Sequence, residues 1–428
     1  MNKGDTDYLS ELSIQYLKSR PKSERSSIGQ FLTPRSLREA LIDQVKLEPG
    51  MRILDPGVGT GEFLRSCLDK QHKLDTVGWD IDHEVLSVAE KLVPEAKLLN
   101  LSALEQSWNE DFDLVIGNPP YYEMRDLSKE LRYRYQQVIG GRPNIFALFF
   151  AAGLGALKPG GVLAFVVPPS MNNGAFFSKL RRFILQNGEI EYLKIFTDTS
   201  LFEDVQTAVQ LIVIRKGKTG TNYSVNLGRL SESRVERVIF TENPSELESE
   251  FDSRSTLWQL GYEAFTGTIV WNQHKDKLRN ERVIGSVPLL WAHNISDVNE
   301  VILDPNHPKK PQFIISNKKD VGPAIIVNRI TGSVGQGNLR CALVPEDFGF
   351  LGENHINIIR KRTNVEPLLS WIDILELLRL PGINKRIQLL TGNTQISCTE
   401  LTHFLPLDSD KKIPKKANNP TLYDELKL

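Results

Sequence analysis

The sequence predicts an α/β protein in which a doubly wound, mainly parallel β-sheet is followed by a second domain of mixed α+β structure. Three observations support this fold class. Short apolar segments typical of strands alternate with helical segments between residues 52 and 214. The glycine-rich segment 55–61 lies between the first predicted strand and a predicted helix. The alternation ends after residues 216–220, and the chain beyond about residue 256 is richer in Pro and Asn.

The predicted elements begin with segment 7–19, which has the pattern of a short amphipathic helix. Thr33 and Pro34 are typical of a helix start, with Thr33 as the N-cap and Pro34 at the first helical position. The elements of the sheet domain follow in order. Strands are predicted at 52–54, 76–79, 112–116, 162–167, 191–196 and 207–214, and helices at 63–68, 84–92 and 144–157.

A polar, acidic segment at 241–253 is predicted to be a linker or a bridging helix. We therefore predict one domain over residues 1–240 and a second over residues 256–428. The second domain has one helical patch near 372–380, and its basic residues slightly outnumber its acidic ones. A solvated surface explains this small charge difference as well as a nucleic-acid face does.

Composition disfavours several classes of protein. The net charge of the 428-residue chain is −1, which argues against a histone-like binder but is compatible with one local basic groove. The three cysteines show no Cys-x-x-Cys spacing, so neither a structural zinc site nor a disulfide framework is expected. The polar N-terminus and the lack of an apolar run of about 18 residues predict no signal peptide, no membrane span and a cytoplasmic location.

Residues 118–121 read Asn-Pro-Pro-Tyr and follow a predicted strand. This tetrapeptide suits the methylation of a planar exocyclic amine, whose lone pair is delocalised and whose N–H groups must be held. The Asn118 side-chain oxygen and the Pro119 carbonyl can accept those N–H groups, and Tyr121 offers a flat face for stacking. The alternative, a strand that simply ends in a Pro-Pro turn, is not excluded by the tetrapeptide alone.

Segment 54–61 reads Leu-Asp-Pro-Gly-Val-Gly-Thr-Gly, and its glycines let the backbone approach a nucleotide-type cofactor closely. Asp55 at its entrance would repel a pyrophosphate and suits a cofactor with a cationic amino-acid end, namely S-adenosylmethionine. Asp80 ends the second strand, where its carboxylate can accept the hydroxyl groups of a ribose. An ordinary polar strand end is the alternative for Asp80, and Asp82 is predicted to be a helix N-cap.

Three motifs occur together in the order and spacing typical of one family: residues 29–34 (Gly-Gln-Phe-Leu-Thr-Pro), segment 54–61 and residues 118–121. In these motifs the chain resembles the gamma-class DNA adenine-N6 methyltransferases, the group that contains the Taq enzyme, over residues 29–215. The resemblance implies a Rossmann-like methyltransferase domain followed by a target-recognition domain. Looser matches to such recognition domains are 328–331 together with 353–357, and 390–395.

The resemblance also implies roles by position. The residues expected at the cofactor are Thr33, Asp55, Gly57, Gly59, Asp80, Ile81, Asn100 and Phe149. The residues expected at the target base are Asn118, Pro119, Tyr121 and Phe202. Thr33 would contact the methionine end of the cofactor, and Phe202 would contact the opposite face of the base. Phe149 could instead be a plain core residue, and Phe202 a hydrophobic anchor at a strand start.

The chain departs from the family pattern at two places. Gly57 and Val58 stand where the family usually has Ala-Cys, which alters the shape of the pocket rather than its chemistry. Asn100 stands where the family usually has an Asp that accepts a hydrogen bond from the adenine amine of the cofactor. The Asn100 amide oxygen can accept the same bond, although it is uncharged and the bond is weaker.

The resemblance implies a site-specific DNA methyltransferase that methylates N6 of an adenine flipped out of double-stranded DNA. It would be the protective methylase of a type II restriction-modification system. We expect a monomer without a metal, in a bacterial or archaeal cytoplasm, paired in function with a restriction endonuclease that it does not bind. Candidate DNA contacts are Arg329, Arg340, Lys361 and Arg362, with a solvated charge as the alternative for each.

Two alternatives of different kinds stay open. An RNA-base methyltransferase or a protein glutamine methyltransferase could use the same tetrapeptide, although the glutamine enzymes are shorter and segment 256–428 therefore favours DNA. A non-catalytic DNA-binding specificity module that keeps a methyltransferase fold is the other alternative, and the intact tetrapeptide argues against it.

Overall fold

The computed structural model describes residues 9–21, 24, 31–124, 126–141, 144–196, 208–218, 220–231, 235–329, 338–391 and 396–409. The chain forms two compact units. Unit 1 consists of residues 1–225 and 237–244, and unit 2 consists of residues 226–236 and 245–428. The assignment of a catalytic domain to 1–240 and of a recognition domain to 256–428 stays a prediction.

Unit 1 is built on a seven-stranded sheet with the order β3-β2-β1-β4-β5-β7-β6. Its strands are β1 (Arg52–Asp55), β2 (Asp75–Asp80), β3 (Lys97–Asn100), β4 (Phe112–Gly117), β5 (Leu157–Val167), β6 (Gly188–Phe196) and β7 (Val209–Lys216). The first five strands pair in parallel, and β7 runs antiparallel to both of its neighbours.

The helices of unit 1 are α1 (Glu11–Ser19), α2 (Arg35–Ile42), α3 (Glu62–Lys70), α4 (His83–Leu92), α5 (Lys129–Arg134), α6 (Ile145–Ala156) and α7 (Ser178–Asn187). The chain winds outward from β1 through β2 to β3 and then returns to place β4 on the other side of β1. Ligands of open α/β sheets bind beyond the carboxyl ends of the strands at such a switch point. The predicted doubly wound, Rossmann-like α/β fold is confirmed.

Both faces of this sheet are buried, as is usual for parallel strands. On β4, Val115 faces one core cluster, and Leu114 and Ile116 face the other. Helix α6 is apolar all round, and each of its residues except Gly155 is buried, so it lies inside the unit rather than on its surface. The covered sheet is a rigid support for the loops at its carboxyl edge.

The part of the chain after β7 contains mixed strands and helices, which agrees with the predicted α+β class. Most of these elements are in unit 2, but the short strands at 224–226 and 238–240 belong almost entirely to unit 1. One sheet has the order β10-β18-β15-β16, a second has the order β11-β13-β12-β17-β14, and β8 pairs with β9. The strands are β8 (Ser224–Asn226), β9 (Val238–Phe240), β10 (Tyr262–Thr266), β11 (Leu278–Arg279), β12 (Ser286–Leu290), β13 (Phe313–Ile315), β14 (Asp320–Val321), β15 (Ala324–Asn328), β16 (Cys341–Val344), β17 (Gly349–Gly352) and β18 (Ile356–Lys361). The helices are α8 (Leu227–Leu230), α9 (Pro244–Phe251), α10 (Trp371–Leu377), α11 (Gly382–Thr391) and α12 (Cys398–His403).

Two predicted helix starts can be compared with the structure. Asp82 is the N-cap of α4, and its side chain accepts from the backbone N–H groups of Glu84 and Val85, as predicted. The prediction that Thr33 caps α2 is wrong. The N-cap is Pro34, whose carbonyl accepts the first helical hydrogen bonds, and the helix begins at Arg35. The Thr33 side chain therefore does not cap the helix.

Candidate active site

The carboxyl ends of β1, β2 and β4 border a cavity of about 180 Å³. It is lined by residues from the Gly-Gln-Phe-Leu-Thr-Pro motif, the glycine loop, the end of β2, the Asn-Pro-Pro-Tyr segment and α6. Of the predicted site residues, those in its lining are Thr33, Asp55, Gly57, Gly59, Asp80, Ile81, Asn118 and Phe149. The three sequence motifs therefore meet at one cavity.

Asp55 lies at the end of β1 and is almost completely buried, with 1% of its surface exposed. One of its oxygens accepts a hydrogen bond of 3.1 Å from the Gly57 N–H. A Cβ atom at Gly117 would lie 2.5 Å from that same oxygen, so glycine is required where β4 passes the carboxylate. Burial raises the pKa of Asp55 to about 8, against the effect of the Gly57 N–H, and the charge of Asp80 raises the pKa further.

Asp80, at the end of β2, is held by backbone groups on both of its carboxylate oxygens. The Gly59 N–H donates to one oxygen at 2.9 Å, and the Asp82 N–H donates to the other at 2.9 Å. Each oxygen keeps a further lone pair, so the carboxylate can still accept two hydroxyl groups. Burial raises the pKa of Asp80 above its ordinary value.

The glycine loop ends at Gly61, the N-cap of α3, which has a left-handed backbone with a φ of 89°. A Cβ atom at Gly61 would also lie 2.8 Å from a methyl group of Val93. Both the backbone conformation and the lack of space therefore require glycine at this position. Gly57 lies in a different setting, because an added Cβ there would meet Phe149 at 3.7 Å, in ordinary contact.

Thr33 is held in the cavity wall by a buried ion pair. The Arg38 guanidinium donates to the Thr33 carbonyl at 2.5 Å and to the Ser66 hydroxyl at 3.0 Å, and it lies 2.8 Å from the Glu62 carboxylate. The Thr33 hydroxyl itself is buried and has no hydrogen-bond partner within the described part of the chain. A buried, unsatisfied hydroxyl in a cavity wall is a position where a ligand can supply the missing bond.

Helix α1 lies across the glycine loop, and sequence reasoning assigned it no role at the site. The Ser13 hydroxyl donates to the Thr60 hydroxyl at 2.7 Å, and the Ser10 N–H donates to the Glu62 carboxylate at 2.8 Å. Beyond the end of the helix, Arg20 forms an ion pair with Asp82. The amphipathic pattern of segment 7–19 predicted a helix but gave no indication of these contacts.

The Asn118 amide is fixed on both sides. Its NH₂ group donates to the Phe31 carbonyl at 2.9 Å, and its side-chain oxygen accepts from the Tyr121 hydroxyl. Because the Phe31 carbonyl can only accept, the NH₂ group must lie on that side and the amide oxygen on the other. Asn118 is therefore oriented as an acceptor. Among the described residues, no donor is bonded to the neighbouring carbonyl of Pro119.

Tyr121 does not line the cavity, although the neighbouring residues Pro120 and Tyr122 do. Its ring lies 6.4 Å from the Phe31 ring at 26° and 6.3 Å from the Phe146 ring at 89°. Its hydroxyl is also 2.8 Å from the Val166 carbonyl, and burial raises its pKa well above the ordinary value. Stacking of a base on Tyr121 stays a prediction.

Of the other predicted residues that the structure describes, Pro119 and Asn100 are also absent from the cavity lining. Asn100 is exposed, and its NH₂ group donates to the Asp80 carbonyl at 3.0 Å. The adjacent residues Leu101 and Ser102 line the cavity in its place, and sequence reasoning missed both. Phe202 lies outside the described residues.

The four candidate DNA contacts, all in unit 2, already have intramolecular partners. The Arg362 guanidinium lies 3.4 Å from the centre of the Trp258 ring and donates to the Trp258 carbonyl at 3.0 Å. Each of the other three makes one such contact. The Arg329 guanidinium donates to the Asn354 carbonyl at 3.1 Å, and the Arg340 guanidinium donates to the Ala292 carbonyl at 3.2 Å. The Lys361 ammonium lies 6.0 Å from the centre of the Trp371 ring. A role in DNA binding stays a prediction for each of them.

Two negative findings apply to the described ranges of the chain. No group of three or more His, Cys, Asp or Glu side chains is arranged to hold a metal ion. No helix in those ranges combines the length and apolar character needed to cross a bilayer.

Part of the chain is similar to a known protein family. Residues 64–202 match the Eco57I restriction-modification methylase family. The modification methylase CviBIII of Paramecium bursaria Chlorella virus NC1A is 26% identical over 51% of this chain and 57% of its own length. The type II methyltransferase M.HincII of Haemophilus influenzae is 27% identical over 48% of this chain and 40% of its own length.

The type II methyltransferase M.BsuBI of Bacillus subtilis is similar over a longer stretch, with 22% identity over 88% of this chain and 87% of that protein. The chain spans about half the length of the first two relatives, at 57% and 40%.

The family points to S-adenosylmethionine as the cofactor, and the cavity residues fit it. The unpartnered Thr33 hydroxyl and the buried Asp55 carboxylate suit an amino-acid end, and the free lone pairs of Asp80 suit ribose hydroxyls. The resemblance predicted from the three motifs is confirmed. Residues 64–202 are similar to the Eco57I restriction-modification methylase family, and the relatives M.HincII and M.BsuBI are type II methyltransferases.

Proposed function

We propose that this chain methylates N6 of an adenine flipped out of double-stranded DNA, as the protective methylase of a type II restriction-modification system. The observation that carries the proposal is the fixed orientation of Asn118 at the cavity, where the Phe31 carbonyl holds the NH₂ group and leaves the amide oxygen as an acceptor. Such an oxygen can bind one N–H of an exocyclic amine.

The cofactor supplies a methyl group attached to a positively charged sulfur. Thr33, Asp55 and Asp80 would bind its amino-acid end and its ribose, and Phe149 beside Gly57 would pack against it. The residues at the base act by placement and polarisation. As Asn118 and the Pro119 carbonyl accept the two N–H groups, electron density moves back to the nitrogen that receives the methyl group.

The Tyr121 hydroxyl bonds to the Asn118 oxygen in this structure, at the position that an amine N–H would use. A base that enters must therefore share or replace this hydrogen bond. Because Val166 offers Tyr121 a second acceptor at 2.8 Å, the phenol keeps a partner when it gives up Asn118. We therefore expect base binding to weaken or replace the hydrogen bond between Tyr121 and Asn118.

The test of the proposed function is the expression of this chain in cells that lack adenine methylation. Sequencing of their DNA should detect N6-methyladenine within one recurrent sequence, and purified protein with S-adenosylmethionine should methylate a duplex that contains it. The proposal fails if the methyl group appears in RNA or on a protein glutamine instead, or if the protein binds that duplex without transferring a methyl group.

The affinity for S-adenosylmethionine should rise as the pH increases from 6 to about 8, because the pKa of Asp55 is about 8 in the free protein. A raised carboxyl pKa means that Asp55 stabilises the free fold below its ordinary pKa and loses that contribution as the pH rises through 8. A cationic ligand favours the ionised carboxylate, so binding improves over the same interval. Titration calorimetry of wild type and Asp55→Asn across this interval measures the effect, and an equal pH dependence in both proteins would contradict the assignment.

Arg20→Ala should weaken cofactor binding about fivefold. Arg20, at the end of α1, forms an ion pair with the Asp82 side chain, and the Asp82 N–H donates to one oxygen of Asp80. Loss of the ion pair should therefore loosen the support of the Asp80 carboxylate. The matched control is Arg35→Ala, which removes an exposed pair with Glu39 on helix α2. Calorimetric dissociation constants for the two variants provide the comparison. Equal constants would show that α1 does not position the ribose carboxylate.

A further inference from the structure

The turn at residues 283–286, between β11 and β12, displays an apolar side chain at its tip. Ile284 is fully exposed, with a relative surface area of 102%, and Val283 before it is 42% exposed. The turn is nevertheless well held, because the Ser286 hydroxyl accepts from the Val283 N–H at 2.9 Å and the Ser286 N–H donates to the Val283 carbonyl at 3.0 Å. Gly285 supplies the left-handed residue of the turn, with a φ of 77°.

The neighbouring strand supports the same turn. β12 pairs with β13 with Ser286 opposite Ile315, and the Ser316 N–H donates to the Gly285 carbonyl at 3.2 Å. Ile284 contributes nothing to the core of unit 2, yet a bonded turn holds its backbone in place. A single exposed apolar residue is ordinary in a protein, but one fixed at the tip of a turn is suited to insertion into a partner.

The charges around the turn indicate the kind of partner. Segment 275–286 contains four basic and two acidic residues. The adjacent turn after β13 adds Lys318, and its backbone is fixed by the Ser316 hydroxyl, which accepts from the Lys318 N–H at 3.0 Å. Lys277, Arg282 and Lys318 are exposed, and none of them forms an ion pair with another described residue. Basic side chains without an ion pair, next to the exposed Ile284 side chain, fit a partner that carries negative charges on its outside and apolar groups inside.

We propose that Ile284 inserts into the base stack of double-stranded DNA, with Arg282 and Lys318 on the flanking phosphates. The inference rests on the proposed function, because extrusion of an adenine costs a few kcal/mol of stacking and leaves a gap in the duplex. Apolar wedges of this kind unstack adjacent base pairs and are used by proteins that distort DNA. Ile284 has the size, the exposure and the fixed backbone for that task.

The test compares Ile284→Ala and Ile284→Met with Ile372→Ala, a control that removes the same side chain from a 60% exposed position on α10. The probe is a duplex with the sequence methylated by wild type, in which 2-aminopurine replaces the target adenine. Ile284→Ala should bind it roughly tenfold more weakly and give a smaller fluorescence increase, since it loses the buried apolar surface. Ile284→Met and Ile372→Ala should resemble wild type.

Unchanged affinity and fluorescence in Ile284→Ala would overturn the inference while leaving the proposed function intact, provided wild type still methylates DNA. Failure of wild type to methylate any DNA would instead overturn the proposed function. Two further outcomes also contradict the DNA wedge. One is that wild type binds vesicles of phosphatidylcholine and phosphatidylserine and Ile284→Ala does not, while both proteins bind DNA with equal affinity. The other is a dimer of wild type that Ile284→Ala abolishes with equal DNA affinity.

Discussion

Asn118→Ala should lower methyl transfer to DNA by about 10²–10³-fold while the binding of S-adenosylmethionine persists. Removal of one preorganised group that polarises the reacting centre lowers turnover by about 10²–10³-fold in comparable sites. Asn118 is such a group, because the Phe31 carbonyl fixes its amide oxygen as an acceptor at the cavity. Alanine keeps the backbone of the tetrapeptide and removes the acceptor, so the effect should fall on turnover rather than on the cofactor.

The measurement is the transfer of labelled methyl groups from S-adenosylmethionine to plasmid DNA, together with calorimetric titration of the cofactor. Asn187→Ala is the matched control, because that exposed amide donates only to the Phe183 carbonyl of its own helix at 2.8 Å. Methylation of plasmid DNA by Asn118→Ala at the wild-type rate would refute the role of Asn118. Loss of cofactor binding in the same variant would show instead that Asn118 supports the pocket.

The positions of Asp55 and Asp80 could be predicted because they depend on local order along the chain. Each follows a short buried strand, and parallel neighbours bring the ends of their strands to one edge of the sheet. Asn100 shares that edge, paired in register with Asp80, yet it is exposed and outside the cavity. The order of the strands therefore predicted that these three residues lie at the same edge of the sheet. It did not predict which side chains of the loop after β3 line the cavity.

The direction of the Tyr121 side chain could not be predicted from the tetrapeptide. Its ring position is set by Phe31, Phe146 and the Val166 carbonyl, which lie on separate elements brought together by the fold. The role of α1 was missed for the same reason. The hydrogen bond between Ser13 and Thr60 joins residues 47 positions apart, and nothing in a short amphipathic helix indicates such a partner.

The failed prediction at Thr33 shows how the environment decides between two uses of one residue. Threonine before proline is typical of a capped helix, and segment 33–34 alone favours that interpretation. The Arg38 guanidinium, however, holds the Thr33 carbonyl at 2.5 Å, and the helix begins one residue later than predicted. The hydroxyl is thereby left free in the cavity wall, where a ligand rather than the backbone can satisfy it.

Glu62→Gln should lower the free energy of unfolding by about 3–5 kcal/mol, because it leaves the Arg38 charge buried without its partner. The two side chains are 4% and 7% exposed and lie 2.8 Å apart, so water cannot replace the lost carboxylate. Burial already lowers the pKa of Arg38, which shows that the surroundings disfavour an uncompensated charge. Urea unfolding monitored by circular dichroism measures the loss, with Glu39→Gln as the control for an exposed pair.

The same variant separates stability from cofactor binding. Arg38 orients Thr33, and Glu62 also accepts the Ser10 N–H of the α1 segment, so one carboxylate joins the cavity wall to the helix across it. Glu62→Gln should therefore weaken cofactor binding even at a temperature where the variant is fully folded. If the folded variant binds S-adenosylmethionine as wild type does, the ion pair stabilises unit 1 without positioning Thr33. If binding and stability both equal those of wild type, the pair contributes to neither.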